Sequence, residues 1–179
     1  KGKVTITDGP QTDSSFKKIM KIMKPDNWVE MGKRYGIDVD ILDLREDEWT
    51  NGGDITVNKK KLPGDPNGSV QVNLEKKRSE FWGHKKSQRG YYGADYDIGE
   101  TNRAHNGYDN IYRVSKTVIE SDVFINIPKM KTHKKAGITC CLKNLVGINT
   151  YKNFLPHHSE GSMDMGGDQF PGNKLSNRI

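Results

Sequence analysis

The stretch Asp122-Val123-Phe124-Ile125-Asn126-Ile127-Pro128-Lys129-Met130-Lys131-Thr132-His133 decides how this chain is read. Residues 123–127 form an almost continuous apolar run, the pattern of a strand covered on both faces in a parallel sheet. Pro128 lacks an amide hydrogen and ends it. A basic loop follows over residues 129–137. Residues 137–146 then place Ile138, Cys141, Leu142, Leu145 and Val146 along one side of a helix. This order sets the loop beyond the carboxyl end of a strand, where open α/β sheets bind ligands.

Working outward, residues 4–7 alternate apolar and polar and run into the turn Asp8-Gly9-Pro10. Asp13 is placed to cap a helix whose stripe is Phe16, Ile19, Met20 and Met23. Pro25 ends that helix and starts another, with Trp28, Met31 and Tyr35 on its stripe and Gly36 as its stop. Residues 39–44 are a second strand, so the N-terminal part reads as a βαβ unit with parallel pairing. Residues 55–62 and 69–74 alternate well around Pro63-Gly64-Asp65-Pro66-Asn67-Gly68 and read as a β-hairpin. Residues 75–110 have little periodicity and read as a long ordered loop covering a site. Residues 111–120 read as a short helix, and the tail from Tyr151 is irregular.

The fold expected is therefore α/β: a mostly parallel sheet flanked by helices, with an inserted β-hairpin and a long ordered loop. The 179 residues fit one domain, with residues 51–110 as an insertion within it. The chain is expected to be an incomplete copy of a longer domain.

Only 32% of the residues are apolar and mean hydropathy is −0.84, so a modest core is expected beneath long polar loops. Lys and Arg number 29 against 23 Asp and Glu, a net charge of +6. Such an excess favours anionic partners without choosing among them. No apolar run is long enough to span a bilayer. The two cysteines, Cys140 and Cys141, are adjacent and unsuited to bonding each other, which points to a reducing, cytoplasmic setting.

The loop after the apolar run carries Lys129, Lys131, His133, Lys134 and Lys135 ahead of a helix start. Ammonium groups beside free helix-start amides suit phosphate or carboxylate. Neither G-x-x-x-x-G-K-[ST] nor G-x-G-x-x-G occurs, which excludes the common nucleotide loops. Thr139, Lys143 and Asn144 lie on the polar side of the expected helix, as a second wall. Asp8, Asp43 and Arg45 sit at the carboxyl ends of the first two strands and open onto the same rim. His157 and His158 are candidates for a metal, together with His133. Cys141 falls on the apolar stripe and is expected to be packed, with Cys140 facing the other way. The aromatic and basic residues between Phe81 and Tyr92 suit single-stranded nucleic acid, but no nucleic-acid-binding signature accompanies them.

The segment from Asp122 to His133, with Thr139 and Leu142-Lys143-Asn144-Leu145-Val146-Gly147, resembles the family called domain of unknown function 362. Asp122, Pro128, Lys129, Lys131, His133, Thr139, Lys143, Asn144 and Gly147 match its pattern in order; Asp8-Gly9 and Asp43 match more loosely, and His157 or His158 fills the place of a later histidine. Some members carry a ferredoxin-like iron–sulfur module, so the resemblance implies a link to redox metabolism. No C-x-x-C occurs here, and no cluster is expected in this segment.

The function expected is binding, and transformation, of a small anionic ligand. Lys131 and Lys143 hold the anion, His133 transfers a proton and Asn144 orients the ligand, with Lys129 and Thr139 alongside. Two rivals stand beside it. One is a non-catalytic or electron-transfer accessory module meeting an acidic or redox partner protein. The other is a metal-binding domain using His133, His157 or His158 with Asp8 or Asp43.

Overall fold

The computed structural model describes residues 2–52, 55–75, 78, 90–93, 97–133, 136–159, 161 and 163–167. At its N-terminal end β1 (Lys3–Asp8) pairs in parallel with β2 (Asp38–Asp43), in register from Lys3 opposite Asp38 to Asp8 opposite Asp43. Between them run α1 (Phe16–Met23) and α2 (Asp26–Arg34). Ser15 caps α1 rather than Asp13, its hydroxyl accepting from the Lys18 amide at 3.3 Å. α2 stops at Gly36, whose φ of +67° lets Gly36 N donate to Lys33 O and Ile37 N donate to Gly32 O at 2.9 Å. Those paired bonds satisfy carbonyls that the helix end leaves open. Gly32 packs so tightly under β2 that an added Cβ would stand 2.4 Å from Val39 Cγ2. The order of the βαβ unit is thus as expected, but Met31 and Tyr35 of the α2 stripe are 59% and 76% exposed.

Beyond β2 the mostly parallel sheet does not form. Among the described residues there are five two-stranded sheets, and β1–β2 alone is parallel. β3 (Asp47–Gly52) pairs with β4 (Ile55–Lys61), and β5 (Ser69–Asn73) pairs with β7 (Ile111–Ser115). β6 (Tyr91–Gly93) pairs with β10 (Pro156–Ser159), and β8 (Lys131–His133) pairs with β9 (Gly137–Thr139). The expected hairpin between residues 55–62 and 69–74 is therefore replaced by two other pairings.

Side chains explain the exchange. Lys59 on β4 meets Asp47 of β3 at 3.0 Å and lies over the Trp49 ring, 4.9 Å from its centroid. In the intervening turn, Asp65 accepts hydrogen bonds from the Ser115 hydroxyl and from the Thr117 amide and hydroxyl, the last two at 2.9 and 2.6 Å. It thereby draws β5 against β7. Residues 111–120 are accordingly a strand followed by one helical turn, α4 (Lys116–Ile119), and not a helix throughout. The segment 75–110 is not simply a loop either. It contains β6 and α3 (Ile98–Ala104), which Asp97 caps through the Glu100 amide. Most of the aromatic and basic stretch between Phe81 and Tyr92 lies outside the described residues.

Two further corrections fall in the deciding stretch. Residues 123–127 form neither strand nor buried layer: Val123 is 73% exposed, Ile125 74% and Ile127 83%. A continuous apolar run is buried on both faces only when neighbouring strands exist to cover it, and no described strand pairs with this one. Residues 137–146 are not one helix. β9 ends at Thr139, α5 (Cys141–Asn144) is a single turn, and residues 145–148 make a 3-10 turn. The helical phase breaks at Cys140, so Leu142 points to solvent at 86% exposure, Cys141 is exposed and Cys140 is half-buried.

Among the described residues the apolar core is small, formed by Leu44, Trp49, Tyr91, Ala104 and Leu155. Buried polar groups fill the rest of the interior. Both nitrogens of fully buried His105 meet oxygens, Nδ1 facing Asn110 Oδ1 at 3.2 Å and Nε2 facing Phe154 O at 2.9 Å. Glu46 ties three segments together: it accepts from Arg113 Nη1 at 2.6 Å and from the Thr150 hydroxyl at 2.8 Å, while its amide donates to Thr150 O. His105 is tolerable inside because both its ring nitrogens have partners, and Glu46, partly exposed, bridges its segments at the edge of the interior.

Candidate functional site

The first neighbourhood of interest is the carboxyl rim of β1 and β2. Register places Asp8 beside Asp43, and Leu44 N donates to Asp8 O at 3.0 Å just past the strand ends. Arg45 turns inward and is 1% exposed. Its guanidinium grips Asp43, with Nε to Oδ1 at 2.9 Å and Nη2 to Oδ2 at 2.7 Å. Nη1 reaches the carbonyls of Gln11, Thr12 and Ser14, the last at 2.6 Å. With each of its guanidinium nitrogens engaged within the protein, Arg45 organises the loop after β1.

Against this rim lies the chain that follows α5. Lys152, also 1% exposed, donates through Nζ to Val146 O at 3.0 Å and Asn149 O at 2.9 Å. Its charge also acts on Asp8. Burial raises the Asp8 carboxyl above its ordinary value, and repulsion from Asp43 adds to this; Lys152, the Gly9 amide and Arg45 partly offset the rise. Two glycines permit the approach. A Cβ on Gly9 would stand 2.6 Å from Gly147 O, and one on Gly147 would stand 2.5 Å from Asp8 Oδ1. Asp8, Asp43, Arg45 and Lys152, with Glu48 Oε1 3.7 Å from Arg45 Nη2, thus form a cluster of three carboxylates and two cations. Asn149, which is buried, leaves its Oδ1 without a hydrogen-bond partner.

The second neighbourhood is the basic segment. β8 and β9 form a short hairpin with Lys131 opposite Thr139 and His133 opposite Gly137. Gly137 has φ of +72°, which the turn requires and which only glycine adopts without strain. His133 is half-buried, and its Nδ1 accepts from the Ala136 amide at 3.2 Å. The neutral ring therefore carries its hydrogen on Nε2. The Thr139 hydroxyl reaches Lys131 O at 3.5 Å. A pair of amides joins α5 to the preceding chain: Asn144 Nδ2 donates to Asn126 Oδ1 at 2.8 Å, and Asn126 Nδ2 donates to Cys141 O at 2.9 Å. Lys129, Lys131 and Lys143 are all exposed on this unit.

The structure thus brings together Asp8, Asp43 and Arg45 on one rim, and Lys131, His133 and Thr139 on one hairpin. Lys143 and Asn144 are linked to the apolar stretch through Asn126. The first group lies on the N-terminal unit and is largely buried; the second lies on the C-terminal segment, where its lysines are exposed. His157 and His158 lie on β10, their Nδ1 atoms 2.9 Å apart, with His158 stacked on Tyr92 at 5.1 Å between ring centroids. No group of three or more His, Cys, Asp or Glu side chains arranged to hold a metal occurs among the described residues. The Cys140 and Cys141 sulfurs are 4.0 Å apart, and the hydrogen bond between them holds the Cys141 thiol above its ordinary value. No described helix is long and apolar enough to cross a membrane. A shallow open depression of about 450 Å³ lies elsewhere, along α1 and the start of α2, lined by Met20, Lys24 and Pro25 among others.

Sequence reasoning missed Lys152 and His105. A lysine or histidine inside a polar stretch carries no mark of burial, because its partners come from remote residues. The glycines at 9 and 147 were the available signal, since each lies where the chain has no room for a side chain.

Charge is distributed unevenly along the chain. Residues 123–159 contain six Lys and no Asp, Glu or Arg, so the remaining residues balance at 23 basic and 23 acidic side chains. The net charge of +6 resides wholly in this stretch.

Residues 91–174 match the model of the family described as Domain of unknown function (DUF362). The resemblance carried by the segment from Asp122 to Gly147 is thereby borne out. No curated protein and no solved structure matches the chain.

Proposed function

We propose that the DUF362 domain of this chain binds a small ligand carrying a phosphate or carboxylate group, through the exposed cations of the 129–144 unit. The observation that carries this reading is the charge segregation: all the excess positive charge lies in residues 123–159, with no acidic side chain among them. A local field of one sign raises the concentration of oppositely charged ligands and is not neutralised from within. Lys131 and Lys143 hold the anion, with Lys129 and the Thr139 hydroxyl beside them. His133 presents Nε2–H as a donor and, once the ligand is bound, as the proton-transfer group. Asn144, already fixed by Asn126, sets the orientation of α5 relative to the hairpin.

Titrating the protein with inorganic phosphate and with acetate, followed by amide and lysine NMR shifts, tests this. Shifts that saturate at Lys131, His133 and Lys143, and that vanish in Lys131→Ala and Lys143→Ala, are expected. Binding should weaken with added salt, because exposed cations are screened. Uniform, non-saturating shifts would refute the reading. Turnover, as opposed to binding, is distinguished by His133→Gln, which retains the anion and loses the chemistry.

A further inference from the structure

Exposure along residues 123–128 alternates with a period of two. Val123, Ile125 and Ile127 are 73%, 74% and 83% exposed, while Phe124 is 48% exposed and Asn126 and Pro128 are half-buried. That is the signature of an extended chain with one face resting on the protein and the other turned outward. The resting face is pinned by Asn126, through its bonds to Cys141 O and Asn144. The outward face carries three β-branched apolar side chains, the residue type that fits a pleated surface. Among the described residues, no main-chain N–H or C=O of residues 123–130 has a hydrogen-bond partner. An apolar, strand-like segment with unpaired amides is a template for pairing with another chain.

We propose that residues 123–127 are a strand edge that accepts an extended segment of a partner protein, apolar residues alternating with Asp or Glu. Charge complementarity fixes the partner's chemistry. The edge runs directly into Lys129 and Lys131, Lys143 stands on the neighbouring turn, and no acidic residue occurs from 123 to 159. A basic or neutral strand would leave these ammonium groups uncompensated. Main-chain pairing supplies the attachment, as in other cases of β-strand addition. Alternate apolar side chains of the partner extend the face of Val123, Ile125 and Ile127, and its carboxylates meet the lysines. Pro128 has no N–H to donate, so pairing stops before the basic residues, which act through their side chains. This inference goes beyond the small-anion reading, since it stands on the unpaired main chain and the open apolar face.

A labelled octapeptide alternating Val with Glu, followed by fluorescence anisotropy, is the test. Two controls accompany it: the same peptide with Lys for Glu, and the Glu peptide N-methylated at alternate amides. Only the unmodified Glu peptide is expected to bind, and Ile125→Asp should weaken it about tenfold or more. Both Ile125 and Ile127 are largely exposed, so Ile125→Asp and Ile127→Glu are expected to keep the parent Tm. Equal binding of the N-methylated peptide, or parent affinity in both variants, overturns the proposal. If phosphate shifts Lys131 while no peptide binds, the strand edge is refuted and the small-anion reading stands. If the Glu peptide binds by these criteria and phosphate does not, the converse holds.

Discussion

Replacing Arg45 by Met puts the heaviest load on the structure for the smallest change in volume. Arg45 is 1% exposed and makes a two-point contact with Asp43, together with bonds to the carbonyls of Gln11, Thr12 and Ser14. Methionine fills most of the stem volume but leaves the Asp43 carboxylate without its countercharge and the buried Thr12 carbonyl without this donor. Removing one partner of a buried ion pair costs about 3–5 kcal/mol, chiefly because the other charge stays behind. A typical domain has only about 5–15 kcal/mol in total, so Arg45→Lys is needed as a graded companion. Lysine keeps the charge but cannot reproduce the fork, and about half of the loss should return. Urea unfolding followed by circular dichroism reads both values, provided the m-value is unchanged. A loss below about 1 kcal/mol for Arg45→Met would refute the claim that this guanidinium organises the rim.

Three further outcomes follow from the same contacts. Asp65→Ala should cost about 2–4 kcal/mol in urea unfolding, because the Ser115 and Thr117 hydroxyls and the Thr117 and Asn67 amides all lose an acceptor. Burial pushes the Asp65 carboxyl up, but those hydrogen bonds more than offset it and the net direction is down from 3.8; its stabilisation is thus present at neutral pH and lost as pH falls through the lowered value. Asp8 has the opposite sign: its raised value means that stability declines as pH rises from 3.8 through the folded value, so Asp8→Asn should flatten that part of the Tm-versus-pH curve and match the parent at pH about 3. Gly147→Ala should cost about 1–3 kcal/mol by thermal or urea unfolding, since its Cβ would stand 2.5 Å from Asp8 Oδ1.

The N-terminal unit was legible because its signals are local. The stripes of α1 and α2, the Gly36 stop and the two β-rich strands each depend on residues a few positions apart, and the register then brings Asp8 and Asp43 together. The middle was not legible in the same way. The alternation in residues 55–61 and 69–73 correctly marks strands, yet alternation says nothing about which strand is the partner. Asp65 and Lys59 decided that through contacts with Ser115, Thr117 and Asp47. The candidate residues were legible as types in a family pattern, whereas the inward turn of Arg45 and Lys152 was not.

By itself the sequence determined the family resemblance of the C-terminal half, the βαβ start, and the concentration of all net positive charge between residues 123 and 159. Those are properties of residue order and of short-range periodicity. Tertiary structure alone decided that residues 123–127 lie open, that α5 is a single turn, and that, among the described residues, many polar groups are buried around a small apolar core. Burial depends on which distant segments arrive to cover a residue, and a one-dimensional pattern records the capacity to be covered without recording what covers it.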